Sequence, residues 1–451
     1  MAHLFLVFNL YLGEAAAVAT TNATSSGRQE GWVSSPNGRG TFDIIWGSLL
    51  TIFLCTWTSL HLNIPSLHEK YLHRWFRKLR WMVQAIMAPE FIVGFATGQK
   101  VEARRSVEMW KNSGYSEWTM RHGFYANMGG FVLQPRDSQP FPVNSKQLHY
   151  LVTRDYTPFP TTTAKEIWDK SKQDRFQKAL TLLQTGWFVL QCLGRAIQHL
   201  PVTTLELATF GFVFCTFASY YQWSDKPLDV ESHTIIEIQK STKEILIEAG
   251  NMPNASKPYS QTPLDFVDDQ SPSWLTEIQP HLRFKMGPRE RPLPRFTNDK
   301  FPVIGASPDA IFLFIVILAY CCIHFIAWNF DFPTHVERII WRVGCITIVA
   351  TTFIFLACET YQDGHRVGRW QRWYLIIFPK NPVHLARVST MEKKRREMEF
   401  IPFWEIVIMS PVTIMYTVAR TYIVVEVFVS LRSLPSGAFD SVQWSNFIPH
   451  F

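Results

Sequence analysis

Apolar and polar residues in this chain fall into separate blocks rather than alternating. Crossing a bilayer takes about 20 mostly apolar residues, because the hydrocarbon core is roughly 30 Å thick and a helix rises 1.5 Å per residue. Five blocks meet that length: "TFDIIWGSLLTIFLCTWTSLHLN" (41–63), "TTLELATFGFVFCTFASYYQW" (203–223), "PDAIFLFIVILAYCCIHFIAW" (308–328), "ERIIWRVGCITIVATTFIFLAC" (337–358) and "FWEIVIMSPVTIMYTVARTYIVVEVFVS" (403–430). The last is long enough to tilt, or to kink at Pro411. Two further stretches are mixed. "LTLLQTGWFVLQCLGRAIQHL" (180–200) carries Gln184, Gln191 and Arg195, and "WMVQAIMAPEFIVGFATG" (81–98) is broken by Pro89-Glu90.

Charge decides between the topologies. If 180–200 crosses and 81–98 only dips into the membrane, 37 of the 44 Lys and Arg residues lie on one side, in 64–179, 224–306 and 359–402. A crossing at 81–98 would put basic loops on both sides, against the positive-inside rule. The expected fold is therefore all-α, a polytopic transmembrane bundle of six spans with a re-entrant segment at 81–98 and cytosolic helical extensions. The spans are 43–63, 180–200, 203–223, 307–329, 337–358 and 403–430. The segments 20–42 and 431–451 are lumenal. Residues 1–19 read as a signal peptide, an apolar "LFLVFNLYL" followed by small residues. Asn22-Ala23-Thr24 is then a glycosylation acceptor on the lumenal side.

The extramembrane parts carry local signals. Thr163 and Glu166 form a capping box, with no Pro or Gly from there to Gly186, which predicts one long helix running into 180–200. Residues 228–250 suggest an amphipathic helix ending at Gly250, followed by a Pro/Ser-rich loop. "RWFRKLRWMVQAIMAPEF" mixes basic residues with Trp75, Phe76 and Trp81, as an interfacial segment does. The seven cysteines all lie in the proposed spans and read as packing residues.

Candidate chemistry is sparse. G-x-S-x-G, the P-loop and H-E-x-x-H are absent, and no cluster suits a metal. The unusual feature is charge within apolar segments. An Arg at a span's centre costs about 2.5–3.5 kcal/mol on insertion scales, so it faces the bundle interior and finds a partner. Arg195, Glu206, Arg342, Arg420 and Glu426 could form one polar cluster in the lumenal half, lining a ligand site or an ion pathway. The bland alternative is a set of interhelical ion pairs, with Arg195 and Arg342 snorkelling.

Several stretches resemble a family of fungal multi-pass integral membrane proteins without an agreed activity: "GWVSSPNGRGTFDIIW" (31–46), "CTWTSLHLNIP" (55–65), "MAPEF" (87–91), "HGFYANMGGF" (122–131), "LLQTGWFVLQCLGR" (182–195), "DKPLDV" (225–230) and "WSNFIPHF" (444–451). Some relatives lie beside secondary-metabolite genes. The resemblance thus implies a part in making or moving an apolar natural product, and transfers no catalytic residue. Three functions follow as expectations: a cofactor-free cyclase or isomerase acting on an apolar terpenoid- or polyketide-like substrate, a channel or transporter, and a scaffold acting through its cytosolic segments. The implied partners are membrane lipids and an apolar small molecule, with no nucleic acid, metal or cofactor.

Overall fold

The computed structural model describes residues 29–35, 38–171, 175–250, 262–267, 292–296, 298, 308–366 and 403–444. The expected leader 1–19, the acceptor Asn22, most of the loop 359–402 and most of the stretch 444–451 lie outside the described residues. Strand β1 is Gln29–Glu30, followed by helices α1 (Thr41–Thr58), α2 (Tyr71–Met87), α3 (Pro89–Asn112) and α4 (Met120–Asn127). Then come β2 (Phe131–Gln134), β3 (Phe141–Val143), α5 (Ser145–Thr153), α6 (Ala164–Asp169), α7 (Arg175–Ile197) and α8 (Thr204–Gln222). The chain continues through β4 (Thr234–Glu237), α9 (Thr242–Glu248), α10 (Pro308–Phe325), α11 (His335–Arg366), α12 (Phe403–Val429) and β5 (Leu434–Pro435).

Helices α1, α7, α8, α10, α11 and α12 run alternately between two ends of a bundle. At one end β1 pairs with β5, Thr204 bonds Ser430 at 2.6 Å, and Arg432 ion-pairs with Glu337. At the other, Thr58 meets Thr181 at 2.9 Å and Tyr220 at 3.1 Å, and Arg104 holds Asp309 at 2.7 Å. Helix α8 is the hub, packed by α1, α3, α7, α10 and α12 and buried on nearly every side. The outer helices instead expose large apolar residues at helical spacing, such as Phe42, Trp46, Leu49 and Phe53 on α1, and Ile311, Phe314, Ile315 and Leu318 on α10. Water would not tolerate so much exposed apolar surface, whereas hydrocarbon does. Four described helices are long and apolar enough to cross a membrane: Thr41–Thr58, Pro308–Asn329, His335–Cys358 and Val407–Arg432. Helices α7 and α8 miss that threshold for different reasons. Helix α7 carries Gln184, Gln191 and Arg195. Helix α8 is enclosed by the other helices, and so tolerates Glu206 and its Thr residues.

Helices α2 and α3 meet at Ala88 with a bend of 112°. Tyr71, Leu72, Trp75, Phe76 and Val83 of α2 are exposed and form an apolar stripe, while Arg77 and Lys78 pair with Glu69 and Asp229 at 2.8 and 2.6 Å. That is the distribution of a helix lying in an interface. Helix α3 begins deep in the bundle and leaves it, ending with Trp110 in a second hydrophobic core.

That second core corrects the all-α expectation. The sheet order is β3-β2-β4, with β2 antiparallel to β3 and parallel to β4. Its core is aromatic: Trp110 stacks on Trp118 with centroids 4.4 Å apart, and their indole N–H groups reach Ser145 at 3.0 Å and Ser106 at 2.8 Å. Residues 228–250 are thus not one helix. "TIIE" supplies β4, and a new helix starts at Ser241, whose hydroxyl accepts from Glu244 N. The long helix expected from Thr163 also divides. The capping box is present, but α6 stops at Asp169, where Lys170 turns back to bond the Tyr125 hydroxyl at 2.7 Å. The link between parallel strands β2 and β4 passes through the bundle as α7 and α8, so sheet and bundle close on one another.

A buried polar centre at a helix break

Proline can start a helix but not continue one, since it has no N–H and blocks the preceding turn. Pro89 therefore opens α3, and Ala88 leaves helical geometry (φ −151°, ψ 73°). The break strands the last carbonyls of α2 inside the bundle, where no water can meet them. Arg420 meets them. Its Nε donates to Met87 O at 3.0 Å and its Nη2 to Ile86 O at 3.3 Å. Nη1 donates to His324 Nε2 at 3.1 Å, which fixes the tautomer: Nδ1 carries the proton and points at Tyr320 O, 3.3 Å away. The Phe212 and Tyr320 rings each lie 5.5 Å from the guanidinium carbon, adding cation–π attraction.

Glu90 sits in the first turn of α3, 2% exposed. Tyr416 donates its hydroxyl proton to Glu90 Oε1. Glu90 Oε2 and the Tyr320 hydroxyl are buried with no hydrogen-bond partner among the described residues. No ion pair joins Glu90 to Arg420, so a buried carboxyl stands near a cation that has turned three of its five N–H donors to other partners. Packing is close here: a Cβ on Gly211 would lie 3.1 Å from Tyr320 Cε2.

The five residues expected to form one cluster are divided by the structure. Arg195 and Glu206 belong to a group that fastens the C-terminal tail. Arg195 makes five hydrogen bonds to four carbonyls, Pro201 O (3.0 and 2.7 Å), Asp440 O (2.7 Å), Gly437 O (3.1 Å) and Ala438 O (3.0 Å). Glu206 caps α8 through Thr203 N at 2.9 Å and ion-pairs with Arg39, which also bonds Ala438 O at 3.1 Å. Arg342 bonds Trp328 O at 3.0 Å and lies over the Trp328 ring, closing the turn after α10. Glu426 faces Glu337 and Tyr422 near the same end. Arg420 alone reaches the break. The shared depth inferred for Arg195, Glu206, Arg342 and Glu426 agrees with their common end of the bundle. Their separation follows from side-chain direction around each helix, which depth does not set.

Glu90, Tyr320, His324 and Tyr416 were absent from the expected site. The Pro89-Glu90 pair inside an apolar stretch was the available signal. His324, the one histidine of α10, is the neighbour of Arg420.

A second buried cation lies where bundle and sheet domain join. Lys226 is 1% exposed and donates to His61 O (2.5 Å), Gln99 Oε1 (2.8 Å) and Asn63 Oδ1 (3.4 Å). Burial pulls its pKa down to about 7. An unfolded lysine titrates near 10.4, so between these values the unfolded chain holds the extra proton and stability rises with pH. The contribution is complete above the unfolded value and lost as pH falls through about 7. Thermal melting across this range is expected to show a steeper pH slope for wild type than for Lys226→Met, whatever constant offset the lost hydrogen bonds add. Equal slopes would contradict the assignment.

Fold and site together define an α-helical protein with several membrane-length apolar helices and an ionisable centre buried among them. The chain belongs to the family of unknown function DUF8562, whose model matches residues 6–251 and 310–451. No curated protein and no solved structure matches it.

Proposed function

We propose that this is a six-span membrane protein, with both termini lumenal and the sheet domain cytosolic, that carries protons through the Glu90 centre as a channel or proton-coupled transporter. Six alternating helices and the one-sided distribution of Lys and Arg support the topology. The observation that carries the function is the unpartnered Glu90 carboxyl oxygen at a helix break inside the bundle. Ionisable groups in such places cost free energy and mark ion or proton pathways, and discontinuous helices near the midplane are where transporters place them. Protonating Glu90 would weaken its acceptance of the Tyr416 proton and its attraction to Arg420, which caps the α2 side of the break.

A cyclase or isomerase, the role implied by the resemblance to proteins near secondary-metabolite genes, needs a chamber enclosing a carbon skeleton. The close contact of Gly211 with Tyr320 favours proton transfer, which needs no chamber. The test is proteoliposomes enclosing an impermeant pH dye. On external acidification the interior is expected to follow faster than in empty vesicles, and equal rates would overturn the proposal.

A further inference from the structure

Helix α2 and its N-cap carry two kinds of basic residue. Three are held within the protein: Arg74 meets Glu231 at 3.1 Å, Arg77 meets Glu69 at 2.8 Å and Lys78 meets Asp229 at 2.6 Å. The other three, Lys70 at the N-cap, His73 and Arg80, are exposed, and their side chains have no ion pair or hydrogen bond among the described residues. The division follows the turn of the helix. Phe76 and Val83 stand at i−4 and i+3 from Arg80, and Phe76 at i+3 from His73, so these cations border the exposed apolar stripe. Lys70 joins them in the first turn, where its carbonyl accepts from His73 N at 3.0 Å. Arg74 and Lys78 lie on another side, the one that buries Trp81 and Ala85. The stripe also continues onto a neighbouring helix. Phe53 stacks on Trp57 of α1 with centroids 5.9 Å apart, Trp57 meets Trp75 at 6.5 Å, and Trp75 meets Phe76 at 5.5 Å.

We propose that α2 is a binding site for anionic glycerophospholipids, with headgroup phosphates at Arg80 and at the Lys70–His73 turn and acyl chains along Leu72, Phe76 and Val83. The inference rests on the six-span membrane reading and not on proton transfer. Continuity with α1 identifies the occupant. Helix α1 is long and apolar enough to cross a membrane, so a surface that starts in hydrocarbon on α1 ends on α2 among headgroups. Charge selects the headgroup. A zwitterionic lipid brings a cation with its phosphate and leaves Lys70 and Arg80 uncompensated, whereas a lipid of net negative charge neutralises them. Geometry agrees: a Lys or Arg stem can lie on acyl chains while its charged end reaches outward. The guanidinium fork of Arg80 matches two phosphate oxygens at once. The three cations already paired with Glu69, Asp229 and Glu231 fasten the other side of α2 to the protein, so the lipid meets a helix held in place.

Native mass spectrometry of the purified full chain tests this with phosphatidylserine and phosphatidylcholine of matched acyl chains. Wild type is expected to bind phosphatidylserine roughly tenfold more tightly, in line with two cations near a charged surface. The double variant Lys70→Gln, Arg80→Gln should lose most of that preference, and Arg80→Gln alone, which serves if the double variant misfolds, should lose part of it. Removing two exposed charges elsewhere, with Lys111→Gln on α3 and Lys165→Gln on α6, should leave it intact. Glycerophosphoserine, which has the headgroup without the chains, should not displace the bound lipid. Equal binding of the two lipids by wild type would overturn the proposal, as would a preference undiminished in the Lys70 and Arg80 variants. Displacement by glycerophosphoserine would also overturn it, since the apolar stripe would then take no part. Lipid binding is read without flux, so a protein that selects phosphatidylserine but moves no protons would keep this site and lose only the proposed transport.

Discussion

Arg420→Leu is expected to be the most damaging single substitution in the bundle. It leaves the Ile86 carbonyl without its donor, leaves the Met87 carbonyl only the Tyr416 hydroxyl at 3.3 Å, and leaves Glu90 buried without a nearby cation. Removing one partner of a buried charged network costs about 3–5 kcal/mol, a large part of the usual margin of stability. The variant should therefore melt well below wild type in detergent and accumulate poorly. Arg420→Lys keeps the charge but cannot reach both carbonyls and His324 at once, so it should fall between. Adding Glu90→Gln to Arg420→Leu removes the orphaned carboxyl and should recover part of the loss. That non-additivity identifies the two as one unit. A simple sum of the two single effects would show that Arg420 acts only as a helix cap.

Arg195→Met is expected to have the second largest effect, at a different place. Its five bonds hold the carbonyls of Pro201, Gly437, Ala438 and Asp440, and hydrogen bonds to a charged donor are each worth about 1.5–3 kcal/mol. They are not additive, so a loss on the order of 3 kcal/mol is the reasonable figure. The tail beyond Leu434 should detach while the bundle persists, because the packing of Val442 on Gly194 and of Trp444 on Trp187 depends on the same anchoring. Limited proteolysis should cut the Arg195→Met tail quickly and leave the wild-type tail intact. Equal protection would show that the β1–β5 pairing and the Gln198–Gln443 bonds hold the tail without Arg195.

What could be read in the chain follows the range of the interactions. Helices α1, α10, α11 and α12 stand out because lipid demands an apolar run, which is a local property. The cap at Thr163 and the break at Pro89 are likewise written in adjacent residues. The sheet is not. Strands β2 and β4 pair across about a hundred residues that include two bundle helices, and "TIIE" suits a strand or a helix turn equally until its neighbour is known. The polar site shows the same limit. Arg420 was conspicuous as a charge in an apolar helix, but its partners, the carbonyls of Ile86 and Met87, have no side-chain signature and lie more than three hundred residues away. Arg39 was hidden for the opposite reason, as an ordinary polar residue beside a span whose role appears only when Glu206 meets it.

The most direct measurement is proton flux in proteoliposomes carrying Glu90→Gln, prepared at the same folded yield as wild type. Glutamine keeps the shape of the side chain and its contact with Tyr416 but cannot take up or release a proton at Oε2. If the buried carboxyl at the helix break carries the proton, the flux per folded protein falls to that of empty vesicles. Flux at the wild-type rate would place the proton path elsewhere and leave the Glu90–Arg420 centre as a brace for the broken helix.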